Sequence, residues 1–268
     1  MNMAMKQLVD KSHLERLYEQ YNSRKWVHPD PLEFLYKYSD SRDIEIAGII
    51  ASSLAYGRVA QILKSVSRVL EKMGSSPYDF LLSTPPSLIL KVFSDFRHRF
   101  TTGDDLAGML IGARSVIKRY GSLYRCFLSG FSNRDNTVLD GLSFLVRELG
   151  RESDRQKNTL LALPERGSAC KRWNLFLRWM VRKDKVDPGV WSGVSSSKLI
   201  IPLDTHMHRI CLLLGLTKQK NPDMRTALEV TDSFRRFEPR DPVRYDFSLT
   251  RLGIRDDADL DAFFMGVM

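Results

Sequence analysis

Lys171-Arg172-Trp173-Asn174-Leu175-Phe176-Leu177-Arg178-Trp179-Met180-Val181-Arg182 is the stretch that decides the fold class. Trp173, Phe176, Leu177, Met180 and Val181 stand at i, i+3, i+4, i+7 and i+8, the repeat of a helix that buries one face. Lys171, Asn174, Arg178 and Arg182 stand at i, i+3, i+7 and i+11, and such positions stack along one side of a helix. The spacing therefore predicts an apolar face in the core and a basic face turned outward.

The same period recurs on both sides of this stretch, and alternation over strand length is nearly absent. Ile44, Ala47, Ala51 and Leu54 follow Asp43, read as an N-cap, and Gly57 interrupts the run. Ile62, Val66, Val69 and Met73 come next, closed by Gly74. Further helices are expected over about 86–97, 104–119, 122–131 and 137–149, with a polar loop over 151–158. Asp204 caps a helix that buries Met207, Ile210, Cys211 and Leu214. Asn221-Pro222-Asp223 opens another, and Asp241-Pro242 places a cap and a first-turn proline before the last. The fold class read from this pattern is all-α.

The 268 residues, 43% of them hydrophobic, suffice for one large domain or two closely packed lobes. The net charge of +9 favours a polyanionic partner. Residues 165–185 hold seven Lys or Arg against Glu165 and Asp184 and so supply +5 of that charge. Cys126, Cys170 and Cys211 are odd in number and far apart, which argues against a disulfide framework and against a four-thiolate metal site. They are expected to be buried. Residues 1–11 lack the apolar core of a signal peptide, and the run 46–57 falls short of the roughly 18 residues a membrane span needs. A soluble protein of the reducing cytoplasm, bound to the nucleoid when engaged with DNA, is the expectation.

Two residues carry the candidate chemistry. Asp204 sits in Leu203-Asp204-Thr205-His206-Met207, where a helix N-terminus favours its ionised form, and such a fixed anion can stabilise a developing sugar cation. Lys171, in the first turn of its helix beside Arg172, lies where a cation is disfavoured and an attacking amine is easier to free. His206 and His208 tempt a metal reading, but i and i+2 point to different sides of a helix and cannot grip one ion. No metal or other cofactor is expected, and His206 near the helix mouth is placed to touch a phosphate. Tyr56-Gly57-Arg58 breaks two apolar helices; it is either a plain corner or a wedge that enters a duplex when a base leaves the stack. Trp191 is either a core anchor or a stacking surface for that base. Arg172, Arg178 and Arg182 are read as contacts to phosphates, so that replacing Arg178 and Arg182 is expected to flatten the salt dependence of binding.

Asp43 to Gly74, Ser168 to Arg182 and Ile201-Pro202-Leu203-Asp204-Thr205-His206 resemble the bacterial DUF2400 family over nearly the whole chain. More distantly, Pro202 to Arg209 resembles the segment of the helix-hairpin-helix DNA glycosylases in which an aspartate opens a helix beside the active site. Cys170-Lys171-Arg172 with Phe176 and Met180 is similar to the catalytic-lysine helix of archaeal 8-oxoguanine glycosylases.

This second resemblance implies a two-lobed helical fold with its active-site cleft between the lobes. One lobe would be a helical barrel over 43–202 carrying Lys171, and the other would join 1–42 to 203–268 and carry Asp204. It implies a monomer that excises a damaged base, such as an oxidised purine, from duplex or single-stranded DNA, with Lys171 forming a Schiff base and cleaving the strand as an AP lyase. The alternative is an inactive nucleic-acid-binding protein on the same scaffold. The chain departs from the Leu-Pro-Gly-x-Gly hairpin of the superfamily: it reads Leu163-Pro164-Glu165-Arg166-Gly167, with one glycine and an acid that repels phosphate unless it turns away. The C-terminal iron–sulfur cysteines of some relatives are absent from it.

Overall fold

The structure, a computed structural model, describes residues 9–152 and 158–254. The expected second lobe therefore has its outer parts, 1–8 and 255–268, outside the described residues, as is most of the polar loop 151–158. The described chain is mostly helical, with a single two-stranded ribbon, β1 (Arg97–His98) and β2 (Thr101–Thr102). No described helix is long and apolar enough to cross a membrane.

Helix α1 (Lys11–Tyr21) starts at the Asp10 cap, and a 3-10 turn over Pro31–Lys37 leads to α2 (Ser41–Ser53). Every residue from Asp43 to Ser53 is buried, so α2 is the axis on which the fold is assembled. Its cap is Asp40, which accepts from the Arg42 amide. Asp43, read from sequence as the cap, lies inside the first turn instead. There its Oδ1 accepts from Ser76 Oγ at 2.8 Å and the Tyr78 amide at 2.9 Å, tying α2 to α4 (Pro77–Ser83).

Helix α3 (Val59–Met73) follows Gly57, whose φ of +95° favours a residue without a side chain. The expected helix over 86–97 ends early, as α5 (Pro86–Phe93). Residues 94–102 turn into the ribbon because His98 is drawn inward, its Nδ1 2.9 Å from Ser65 Oγ and its Nε2 3.0 Å from the Tyr56 carbonyl. A capping box of Thr102 and Asp105 then starts α6 (Gly103–Tyr120), followed by α7 (Leu123–Ser129) and α8 (Leu139–Gly150) near the positions the apolar period gave.

Helix α9 (Lys171–Val181) packs along α2. Gly48 permits the close approach, since a Cβ there would lie 2.9 Å from Met180 Cε and 3.3 Å from the Phe176 ring. Helices α10 (Thr205–Leu213), α11 (Met224–Phe237) and α12 (Asp246–Ile254) complete the described chain, and α12 packs on both α1 and α10. Asp223 caps α11 as expected. Asp241-Pro242 does not open a helix: α12 begins at Asp246, and Asp241 instead accepts from Arg182 Nε at 2.8 Å.

Candidate active site

The site is built where α9 and α10 begin and α2 ends. Asp204 caps α10 through Oδ1, which accepts from the His206 amide at 3.0 Å and the Met207 amide at 2.9 Å. Its Oδ2 is left free for the neighbour opposite, Lys171, whose Nζ lies 3.6 Å away. Residues 33 positions apart in sequence thus meet, both partly exposed, in a cavity of about 800 Å³.

Lys171 Nζ also donates to the Ala55 carbonyl at 3.1 Å, and Arg172 Nη1 donates to the Ser53 carbonyl at 3.1 Å. These acceptors lie at the end of α2, where carbonyls lack partners within the helix and the dipole is negative. Two adjacent cations at the positive end of α9 are thereby placed at the negative end of α2. The second Arg172 amino group bonds the Thr159 carbonyl, and the guanidinium lies 5.2 Å from the Tyr56 ring. Arg172 therefore lines the cavity with its donors engaged by the protein.

Cys170, which precedes Lys171, holds a left-handed backbone with φ 47° and ψ 38°, a conformation that costs a non-glycine residue roughly 1–2 kcal/mol. The thiol is buried, which pushes its pKa up to about 11 and keeps it protonated at neutral pH. Cys126 and Cys211 are likewise buried and free.

The remaining sequence expectations divide. His206 lines the cavity, and its Nε2 is buried without a partner among the described residues. His208 is 6% exposed and its Nε2 faces the Gln219 carbonyl at 2.8 Å, so the two rings serve different surroundings. Among the described residues no cluster of three metal-binding side chains occurs. Tyr56 lines the cavity, while Arg58 is exposed at the N-cap of α3.

Arg178 and Arg182 do not form an outward basic face; each is 3% exposed. Arg178 donates to Asp187 at 3.0 Å and pairs with Asp246, and Arg182 pairs with Asp184 at 2.6 Å, Asp187 at 2.8 Å and Asp241 at 2.8 Å. Burial works against both positive charges, and the surrounding carboxylates outweigh it, so both pKa values rise. The loop after α9 and the start of α12 fold over the polar side of the helix. The expected phosphate contact of these two arginines is excluded by that cover.

Trp191 is a core anchor. It is 2% exposed, its ring centroid lies 5.2 Å from Tyr124, 5.3 Å from Phe127 and 5.5 Å from Phe176, and its Nε1 donates to Glu45 at 2.8 Å. The described tryptophan that lines the cavity is Trp173, 2% exposed and part of the core as the apolar period predicts. Its Nε1 is buried without a partner among the described residues, as are Asp246 Oδ1 and Arg251 Nε, both also from cavity-lining residues.

The hairpin-like segment lies between α8 and α9 as a 3-10 turn, Pro164–Arg166, ended by Gly167 at φ +82°. Glu165 is turned aside onto Arg147, 2.9 Å from its Nη2.

No curated protein and no solved structure matches the chain. One family model does, over residues 30–255, a span that contains both Lys171 and Asp204. The chain belongs to DUF2400, a family described as proteins of unknown function.

Proposed function

We propose that this protein is a DNA glycosylase with AP-lyase activity, removing a damaged base through a Schiff base on Lys171. The observation that carries the reading is the 3.6 Å approach of Lys171 Nζ to Asp204 Oδ2 at the wall of a cavity of about 800 Å³. The volume is within the range of sites that enclose small organic groups. The excess positive charge supports a polyanionic substrate.

In this mechanism the Lys171 ammonium gives a proton to Asp204, and the freed amine attacks C1′ of the sugar. The bond from C1′ to the base breaks, its electron pair leaves with the base, and the base takes up a proton. That proton comes from Asp204, and the carboxylate so restored, fixed by the amides of α10, stabilises the positive charge on the sugar. Opening of the sugar ring gives an imine between C1′ and Lys171. Transfer of a C2′ proton to the Asp204 carboxylate then expels the 3′ phosphate and cuts the strand.

Borohydride reduces such an imine to a stable amine. Wild-type protein incubated with borohydride and an oligonucleotide bearing an abasic site or an oxidised purine is expected to give a covalent adduct that Lys171→Ala does not. Equal adducts from both proteins would place the nucleophile elsewhere. Tight binding by both with no adduct would leave a nucleic-acid-binding protein without the activity.

A further inference from the structure

Tyr56 was read from sequence either as part of a plain corner or as a wedge. Its hydroxyl instead donates to the His98 carbonyl at 2.7 Å and receives the Thr101 hydroxyl at 2.7 Å, and its ring meets His98 edge-on at 4.7 Å. The His98 Nε2 faces the Tyr56 carbonyl at 3.0 Å; a carbonyl only accepts, so Nε2 carries the hydrogen and Nδ1 accepts from Ser65 Oγ at 2.9 Å. Burial lowers the His98 pKa, in keeping with this neutral ring. Tyr56 and His98 thus clamp both strands of the ribbon to the mouth of the cavity.

What the clamp presents is the two-residue turn Arg99-Phe100, since Arg97 pairs with Thr102 and His98 with Thr101. Arg99 has φ 51°, a left-handed conformation at a position where tight hairpins favour glycine. The strain is tolerated by a bulky charged residue, and strain held in place by its surroundings is a mark of functional segments. Phe100 is 76% exposed, well beyond the next large apolar side chains among the described residues, Leu88 and Leu213 at 45%. Arg99 lines the cavity, and its guanidinium lies 5.4 Å from the Phe100 ring and 5.8 Å from the Tyr56 ring. Gly57 makes room for it, because a Cβ there would lie 2.8 Å from Arg99 Cδ. Arg58, at the corner, and Arg97, on the first strand of the ribbon, are exposed.

We infer that Phe100 is an intercalating wedge, inserted into the base stack of a duplex at the position vacated by the base that enters the cavity, with Arg99 directed at the vacated nucleotide and Arg58 and Arg97 at flanking phosphates. A solvated aromatic ring on a rigid turn has no packing role in the protein itself. Bordered by arginines, it fits a partner that offers flat π-faces between rows of negative charge. This rests on the proposed entry of an extruded base but uses neither Lys171 nor Asp204.

The experiment is fluorescence of 2-aminopurine placed opposite a tetrahydrofuran abasic site in a duplex, read together with binding by anisotropy. Wild type is expected to unstack the 2-aminopurine and raise its emission. Phe100→Ala, whose exposed position leaves the fold intact, is expected to lose the rise and to bind this duplex roughly five- to 150-fold more weakly. Phe100→Leu, which keeps an apolar wedge, should restore most of the signal, and binding to single-stranded DNA should be unchanged in both variants. A wild type that binds without unstacking, or a Phe100→Ala variant with the full signal, overturns the inference. The glycosylase reading fails separately: unstacking that depends on Phe100, without any Lys171-dependent adduct, leaves the wedge standing and removes the lyase.

Discussion

The two carboxylate oxygens of Asp204 face different partners: Oδ1 holds the amides of His206 and Met207, and Oδ2 faces Lys171 at 3.6 Å. The residue therefore has a structural task and a chemical one on separate atoms, and substitution can separate them. Asparagine caps a helix about as well as aspartate, whereas alanine costs about 1 kcal/mol. Asp204→Asn is expected to unfold in urea within a few tenths of a kcal/mol of wild type, while its rate of adduct formation falls about 10²–10⁴-fold. Asp204→Ala should lose both. An Asp204→Asn protein of full activity would reduce the residue to its capping role.

Arg178 and Arg182 are predicted to matter for folding. Each lies among buried carboxylates, and removing one cation leaves those charges uncompensated, a loss of about 3–5 kcal/mol for a broken buried pair. Urea unfolding of Arg178→Ala and Arg182→Ala should show it directly. Where a variant still folds, the slope of log affinity against log salt for DNA should match the wild type, because neither guanidinium is available to a phosphate. A flattened slope would mean that the cover over α9 opens on binding.

Glu45 supplies a pH dependence of stability. Burial pushes its carboxyl from an ordinary value near 4.5 up to about 7, against hydrogen bonds from Trp191 Nε1 and the amides of Tyr124 and Leu123. In that interval the folded protein retains a proton that the unfolded chain has released. The contribution to stability is therefore full below about pH 4.5 and is lost as pH rises to about 7, a fall of roughly 3 kcal/mol. Glu45→Gln does not ionise, and its unfolding free energy should vary less between about pH 5 and about pH 8 than that of wild type. Parallel pH curves for the two proteins would show that the three donors keep the carboxylate ionised throughout.

The helices were legible because their information is local. The period of Trp173, Phe176, Leu177, Met180 and Val181 marks the buried face of α9, and Asp204 and Asp223 announce the helices they cap. The polar side of α9 was misread for the complementary reason. Arg178 and Arg182 look like surface arginines until Asp241 and Asp246, some sixty residues on, are folded against them. Trp191 stayed open between core and cavity because both it and Trp173 are aromatic residues in apolar surroundings, and only the tertiary packing decides which one borders the cavity. The ribbon has two residues per strand, too short for any alternation to register, so Phe100 gave no signal before its exposure was known. Asp43 and Asp40 both precede the apolar run of α2, and composition alone does not choose between them.

Gly48 gives the aim of the amine a remote origin. Met180 and Phe176 settle where a side chain is missing on α2, and α9 runs from that notch as a single rod to Lys171, about 13 Å away at helical rise. At its far end the rod is hooked over the last carbonyls of the same helix by Lys171 and Arg172. Bulk introduced at the notch would act as a fulcrum, swinging the amine relative to Asp204 while leaving every group in the cavity chemically unaltered.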